Sequence, residues 1–322
     1  MKNMKKHLIL PMIMFSLLIG CTTTTTQENI LLPDSVIMKY EVIYGKNTVQ
    51  KNIPKLVTQI DSQIQEKLVD KMNKTIENLV NSINSHQVIV YDPTAHFREE
   101  FIFQSDSLSH KDICARMDSK TIQDAVWSEI QGIKFIESWS MDSTNYSINK
   151  NVMGWIPIRY FSPNDTLQKS IFKKKIFVVK NKVEKEKILL VENLITFLEF
   201  QPYGSETEEQ GFDLLKMSSQ VLEGIKAKKL ITYSVGKDFS IDKSKPLELD
   251  SVFKKDPSYV IDYAKKFGKH HLFRNHLFKI AFCENWYYHP NSFSITKEVM
   301  AFGMTTGDNK TQVLCWIVPQ NK

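Results

Sequence analysis

Between Leu56 and Ile83, apolar residues return every third or fourth position: Leu56, Ile60, Ile64, Leu68, Met72, Ile76, Val80 and Ile83. That spacing predicts one long amphipathic helix with a single buried stripe. Because most steps are of four and drift around a straight helix, a core helix and a coiled-coil seam both stay open. The pattern before it changes period. "SVIMKYEVIYG" (35–45) is rich in β-branched and aromatic residues and reads as a strand. "HQVIVYDP" (86–93) reads as another, closed by an Asp-Pro turn. A helix running into a strand is written again in "QVLEGIKAKKLITYSVG" (220–236), where Tyr233 stands as Tyr91 does. "IFVV" (176–179) and "ILLV" (188–191) flank a charged "KNKVEKEK" and predict a β-hairpin, while "TQVLCWIVP" (311–319) predicts a closing strand.

One pattern is written twice without a gap. "FIESWSMDSTNYSINKNVM" (135–153) returns as "FCENWYYHPNSFSITKEVM" (282–300), with eight identities among 19 positions. They are Phe135/Phe282, Glu137/Glu284, Trp139/Trp286, Ser147/Ser294, Ile148/Ile295, Lys150/Lys297, Val152/Val299 and Met153/Met300. Each copy predicts two strands around a tight turn, "DSTN" or "HPNS", with Pro290 and Asn291 suited to the central positions of a type I turn. A turn centred between Ser143 and Thr144 pairs Trp139 with Ile148, Glu137 with Lys150 and Phe135 with Val152. The second copy then pairs Trp286 with Ile295, Glu284 with Lys297 and Phe282 with Val299. Six of the eight identities fall on one hairpin face as cross-strand pairs, each worth ~0.2–1 kcal/mol. A β-bulge would break this register. An acid and a base in fixed apposition also raise catalysis, but with no nucleophile, histidine or metal cluster beside them the structural reading is preferred.

The first 20 residues change what compartment to expect. Lys2, Lys5 and Lys6 precede a short apolar run ending Leu18-Ile19-Gly20-Cys21, the form of a bacterial lipobox. Cleavage before Cys21 and its lipidation would anchor the chain, with 21–34 as a flexible tether; a plain secretory signal is the alternative. With the leader set aside, 39 basic residues face 36 acidic ones and the formal charge falls from +6 to +3. Only four arginines occur, so a nucleic-acid partner is not expected. Cys114, Cys283 and Cys315 remain, an odd number; Cys283 and Cys315 lie in strand-like stretches and leave one bridge open.

There is no Gly-rich phosphate loop, HExxH, GxSxG or CxxC. His271 and His276 are five apart and do not share a helix face, so no metal site is expected from "KHHLFRNH". Neither a catalytic residue nor a cofactor is indicated, and the sequence is read as that of a non-enzyme. Tyr287 and Tyr288, where the copies differ from Ser140 and Met141, are candidate partner contacts or core residues.

The run Glu137-x-Trp139 with Asp142, then Ser147-Ile148, then Gly154 and Pro157 resembles the GldN/PorN family of gliding-motility and type IX secretion proteins of the Bacteroidetes. "ENWYY" (284–288) carries the family's aromatic pair, with His289 where its acid stands. The resemblance implies a scaffold that assembles with a ring lipoprotein and motor subunits under the outer membrane, and it leaves homo-oligomerisation open. The lipobox departs from that family's plain signal and marks a divergent lipoprotein member. The expected fold is α+β: two tandem related units, each an amphipathic helix packed on a mainly antiparallel β-sheet. Their bounds are 35–170 and 206–322, joined by a connecting β-hairpin at 171–205. The expected place is the outer membrane, lipid-anchored on its periplasmic face. The other functional expectation is a surface or periplasmic lipoprotein holding a glycan or peptide on aromatic residues.

Overall fold

The computed structural model describes residues 36–43, 62–85, 87–93, 107–121, 125–161, 172–182, 184–199, 214–253, 279–305 and 312–320. The leader, Cys21, the tether and the histidines of "KHHLFRNH" lie outside these residues. In chain order the elements are β1 (Val36–Ile43), α1 (Ser62–Asn84), α2 (His110–Arg116), β2 (Ile130–Met141), β3 (Ile148–Phe161), β4 (Phe172–Lys175), β5 (Val179–Lys180) and β6 (Ile188–Glu199). Then come α3 (Leu214–Lys226), β7 (Leu230–Val235), β8 (Ile241–Pro246), α4 (Leu249–Phe253), β9 (Lys279–His289), β10 (Ser294–Thr305) and β11 (Val313–Pro319). Helices and antiparallel sheets together make an α+β fold. One sheet runs β1-β2-β3-β4 with β5 also on β3, and the other runs β6-β9-β10-β11-β7-β8. Leu31–Lys322 forms one compact unit.

The stripe of α1 is buried within this chain's own core, which favours the core helix over the coiled coil. Leu68, Met72, Ile76, Leu79, Val80 and Ile83 join the cluster that lines the inner faces of both sheets. Lys71 fixes the helix to the second sheet by donating to the carbonyls of Leu189 and Leu190, each at 2.9 Å. Those are carbonyls of β6, an outer strand of its sheet, so the lysine also blunts an edge open to pairing. In α3, Met217 and Val221 face the same core, and Gly224 lets the helix close on β7. A Cβ at Gly224 would stand 2.8 Å from Leu230 Cδ1 and 2.8 Å from Tyr146 Cγ.

The hairpin register differs from the sequence expectation by two residues. Trp139 pairs with Lys150 and Glu137 with Val152; in the second copy Trp286 pairs with Lys297 and Glu284 with Val299. The turn is the cause. Four residues, not two, separate His289 from its partner Ser294 and Asp142 from Ser147, whose carbonyl accepts the Asp142 N–H, and the last of the four is left-handed in both copies: Tyr146 at φ 58° and Phe293 at φ 55°. Both turns then carry a bulge at the same place. Met153 is passed over between Val152 and Gly154, as Met300 is between Val299 and Ala301. The inward set on β3 therefore steps from Ile148, Lys150 and Val152 to Trp155.

Two further expectations need correction. "IFVV" and "ILLV" do not form a hairpin, because β5 pairs with β3 in one sheet and β6 with β9 in the other. Two apolar runs about a polar tip read alike whether they return on themselves or cross between sheets. The crossing is tied down by Asn181, whose amide donates to Ile295 O and accepts from Ile295 N, each at 2.8 Å. The strand expected at 86–93 shrinks to Tyr91, which bridges Ser107 and Val178. Cys283 and Cys315 are not joined by a disulfide. They stand on β9 and β11 with β10 between them, in different apolar clusters on opposite faces of the sheet.

Side chains of β11 close over Gly303 of β10, where a Cβ would meet Val313 Cγ1 at 2.8 Å and the Trp316 ring at 3.1 Å. Gly303→Ala is expected to cost about 1–3 kcal/mol, read as a lower urea midpoint, because overpacking forces β10 and β11 apart. An unchanged midpoint would contradict this packing.

Candidate functional site

Period-two alternation puts Phe135, Glu137 and Trp139 of β2 on one face, and the same alternation puts Phe282, Glu284 and Trp286 of β9 on one face. Both faces turn inward and meet. Phe135 packs edge-on against Trp286 at 5.0 Å, and Trp139 edge-on against Phe282 at 5.2 Å. Such pairs are worth ~0.5–1.5 kcal/mol beyond their area. The charges cross as the rings do. Lys150 Nζ bonds Glu284 Oε1, while Lys297 Nζ lies 2.7 Å from Glu137 Oε1. Each lysine is thus paired with the glutamate of the other copy, not with that of its own hairpin, as the two-residue shift in register requires.

The four charged side chains are sealed: both glutamates and Lys297 are 0 % exposed, and Lys150 is 1 % exposed. Aromatic faces replace the lost water. Lys150 Nζ stands 3.2 Å from the centre of Phe282 and 4.3 Å from Trp139, and Lys297 Nζ 3.1 Å from Phe135 and 4.4 Å from Trp286. A desolvated cation–π contact contributes ~2 kcal/mol or more. The second carboxylate oxygens are held by the indoles: Trp139 Nε1 donates to Glu137 Oε2 at 2.6 Å, and Trp286 Nε1 to Glu284 Oε2 at 2.9 Å. Every shared residue now has a place. Ile148, Val152, Ile295 and Val299 pack around the charges; Ser147 and Ser294 follow the left-handed residues; Met153 and Met300 are the bulges.

The copies differ at one member of this centre. Tyr40, opposite Phe135 on β1, offers its hydroxyl oxygen to Lys297 Nζ at 2.9 Å, whereas Thr196 of β6 stands opposite Phe282. Sequence reading missed Tyr40; the signal was the alternation Met38, Tyr40, Val42 within a strand that was not compared with β6. Burial, then the two glutamates, raise the Tyr40 phenol well above its ordinary value. Burial also pushes Lys297 down to about 8, outweighing the attraction of Glu137 and Glu284. Burial pushes the Glu284 carboxyl up, but the ammoniums of Lys150 and Lys297 and the bonds from Lys150 and Trp286 bring it below its ordinary value.

The two tyrosines expected at a partner surface separate. Tyr288 is buried and packs on Phe293 at 6.0 Å, so it belongs to the core. Tyr287, on the opposite face of β9, is half-buried, donates to Glu298 Oε2 and lies under Lys187 Nζ at 3.9 Å. His289 replaces the acid of the first copy: Asp142 caps its turn by accepting from the N–H groups of Thr144 and Asn145, whereas His289 bridges Glu186 O and Thr296 Oγ1. Among the described residues, no group of three or more His, Cys, Asp and Glu could hold a metal ion, and no helix is long and apolar enough to cross a membrane. The chain matches no family model and no curated protein.

Removing one charge strands the other in the core. Lys297→Met is expected to cost about 3–5 kcal/mol, and Lys297→Met with Glu137→Leu distinctly less, both read by urea denaturation. Equal losses would contradict the pairing. The two native shifts act with the same sign on pH dependence, in different pH windows, because both groups bind their proton less readily folded than unfolded. Glu284 binds its proton less readily folded than unfolded, so its stabilisation is whole above the ordinary carboxylate range and is lost as pH falls through its lower native value. Lys297 also binds its proton less readily folded, so its contribution rises with pH between about 8 and the ordinary 10.5. Urea midpoints across pH should show the acid loss of wild type flattened in Glu284→Gln.

Proposed function

We propose that this protein is a non-enzymatic, lipid-anchored scaffold of a bacterial envelope assembly, of the kind formed by type IX secretion and gliding-motility proteins. The observation that carries this reading is the sealing of the repeated residues. What the chain writes twice is spent on fastening two sheets to each other, and no substrate reaches Glu137 or Glu284, which are 0 % exposed. A rigid body of this sort suits a subunit whose work is to hold position. The reading includes two tandem related units. Strand order β1-β2-β3-β5 matches β6-β9-β10-β11, and the crossed rings, crossed charges, left-handed turn residues and bulges all recur in step. Tyr91 beside Val178 and Tyr233 beside Trp316 extend the likeness to the last strand of each set. On this reading the boundary falls in the crossing segment near 181–187.

The resemblance to the GldN/PorN family rests on the quoted residues, and it supplies the expected partners: a ring lipoprotein and motor subunits. Lipidation at Cys21 supplies the anchor. The glycan- or peptide-binding alternative loses its first candidates, since Trp139 and Trp286 are 3 % and 0 % exposed and already hold the glutamates. Tyr287 remains on the outer face for a protein partner.

Cys21→Ala should move the protein from the membrane to the soluble fraction of an envelope preparation, and retention in the membrane would refute the anchor. Pull-down from crosslinked envelopes should recover a ring lipoprotein. Tyr287→Ala should lower that recovery while leaving the unfolding free energy within about 0.5 kcal/mol, as for surface substitutions. Recovery of no secretion component would sink the scaffold reading.

A further inference from the structure

The sealed charge centre holds the parts of an amide-forming site as well as those of an ion pair. Lys297 Nζ lies 2.7 Å from Glu137 Oε1, an ammonium directly against a carboxylate oxygen inside the core. The other oxygen of the same carboxyl, Oε2, accepts the Trp139 indole N–H at 2.6 Å. The Tyr40 hydroxyl lies 2.9 Å from the same Nζ. A second carboxylate, Glu284, also acts on this ammonium, and both partners are shut off from water.

We propose that Lys297 and Glu137 join in an intramolecular isopeptide bond, a self-made cross-link from β10 of one sheet to β2 of the other. The step needs no outside reagent. Within the pair, the proton of the ammonium passes to the carboxylate, leaving a neutral amine and a neutral acid. The Nζ lone pair attacks Cδ of Glu137, and the negative charge gathers on Oε2, where the Trp139 N–H already points. Collapse breaks the Cδ–Oε1 bond. Oε1 departs as water, carrying the acid proton and one proton from Nζ, and the Cδ–Nζ amide remains. An ammonium and a carboxylate become an amide and one water, with no change in charge or oxidation state.

Three features of the site favour this step over a permanent ion pair. Burial holds the lysine at about 8, so roughly a tenth of it is neutral at pH 7. Fixed apposition inside a packed core replaces a bimolecular encounter and raises the effective concentration of the amine by many orders of magnitude. The amide also removes two buried charges, which a protein interior disfavours. Lys150 and Glu284 differ in lacking the tyrosine hydroxyl: Tyr40 bonds Lys297, and Lys150 Nζ only faces its ring from 5.6 Å. Their role here is to hold the field around the reacting pair. Because the event happens once per molecule and nothing turns over, it is compatible with a scaffold and does not depend on that assignment.

Intact mass spectrometry of the purified full-length chain under denaturing conditions tests the proposal without requiring a folded variant. Wild type should be lighter than its sequence mass, after allowance for leader and lipid, by the mass of one water. Fragmentation should place that loss in a branched peptide containing Glu137 and Lys297. Lys297→Arg keeps the cation but cannot form this amide, and Glu137→Ala removes the carbon that is attacked, so the mass of each variant should match its sequence. A wild-type mass with no loss, or a loss mapped to other residues, overturns the proposal and leaves an ion pair alone.

Discussion

Two lysines cross between two sheets, each to the other sheet's glutamate, and the rest of the structure is arranged around keeping them there. A buried ion pair is stable only when its geometry is good and its remaining polar atoms are served. Here aromatic faces serve the ammoniums and indole N–H groups serve the carboxylates. Those rings are also the apolar contacts between the sheets. Packing and electrostatics are therefore not separable at this centre. Loss of one lysine would loosen two aromatic contacts along with one charge pair.

The crossing depends on small backbone details. With a two-residue turn, Glu137 would face Lys150 and each hairpin would satisfy itself, leaving the sheets nothing specific to exchange. The left-handed Tyr146 and Phe293 lengthen the turns, and the register that follows sets a tryptophan opposite each lysine. The bulges at Met153 and Met300 then reset the alternation, so that Trp155 and Phe302 also point inward. Trp155 returns the favour across the sheets by donating to Phe293 O at 3.0 Å, bracing the opposite turn.

Much of this was legible in the sequence, for reasons that are local. The period of α1, the strand at β1, the helix-to-strand join of α3 and β7, and β11 behind β10 all follow from spacing within one element. The doubled stretch announced two hairpins and the residues that matter in them. Register was not legible, because a left-handed residue at a turn needs no glycine signature when packing holds Tyr146 and Phe293 in place. The crossing segment at 181–187 was misread because tertiary partners, Ile295 among them, decide its course. Alternation already put Tyr288 on the face of Trp286 and Tyr287 on the other; which of the two faces is buried was decided only by the packing of one sheet on the other.

If two related units are the right description, the arrangement explains why neither hairpin is complete alone: each displays a lysine and a glutamate whose partners lie on the other. The most direct test is a pair of double-mutant cycles read by urea denaturation. One joins Glu137→Gln with Lys297→Met, and the other joins Glu137→Gln with Lys150→Met. The crossed arrangement predicts a coupling of about 2 kcal/mol or more for Glu137 with Lys297, and clearly less for Glu137 with Lys150. A larger coupling to Lys150, its own hairpin neighbour, would contradict the account.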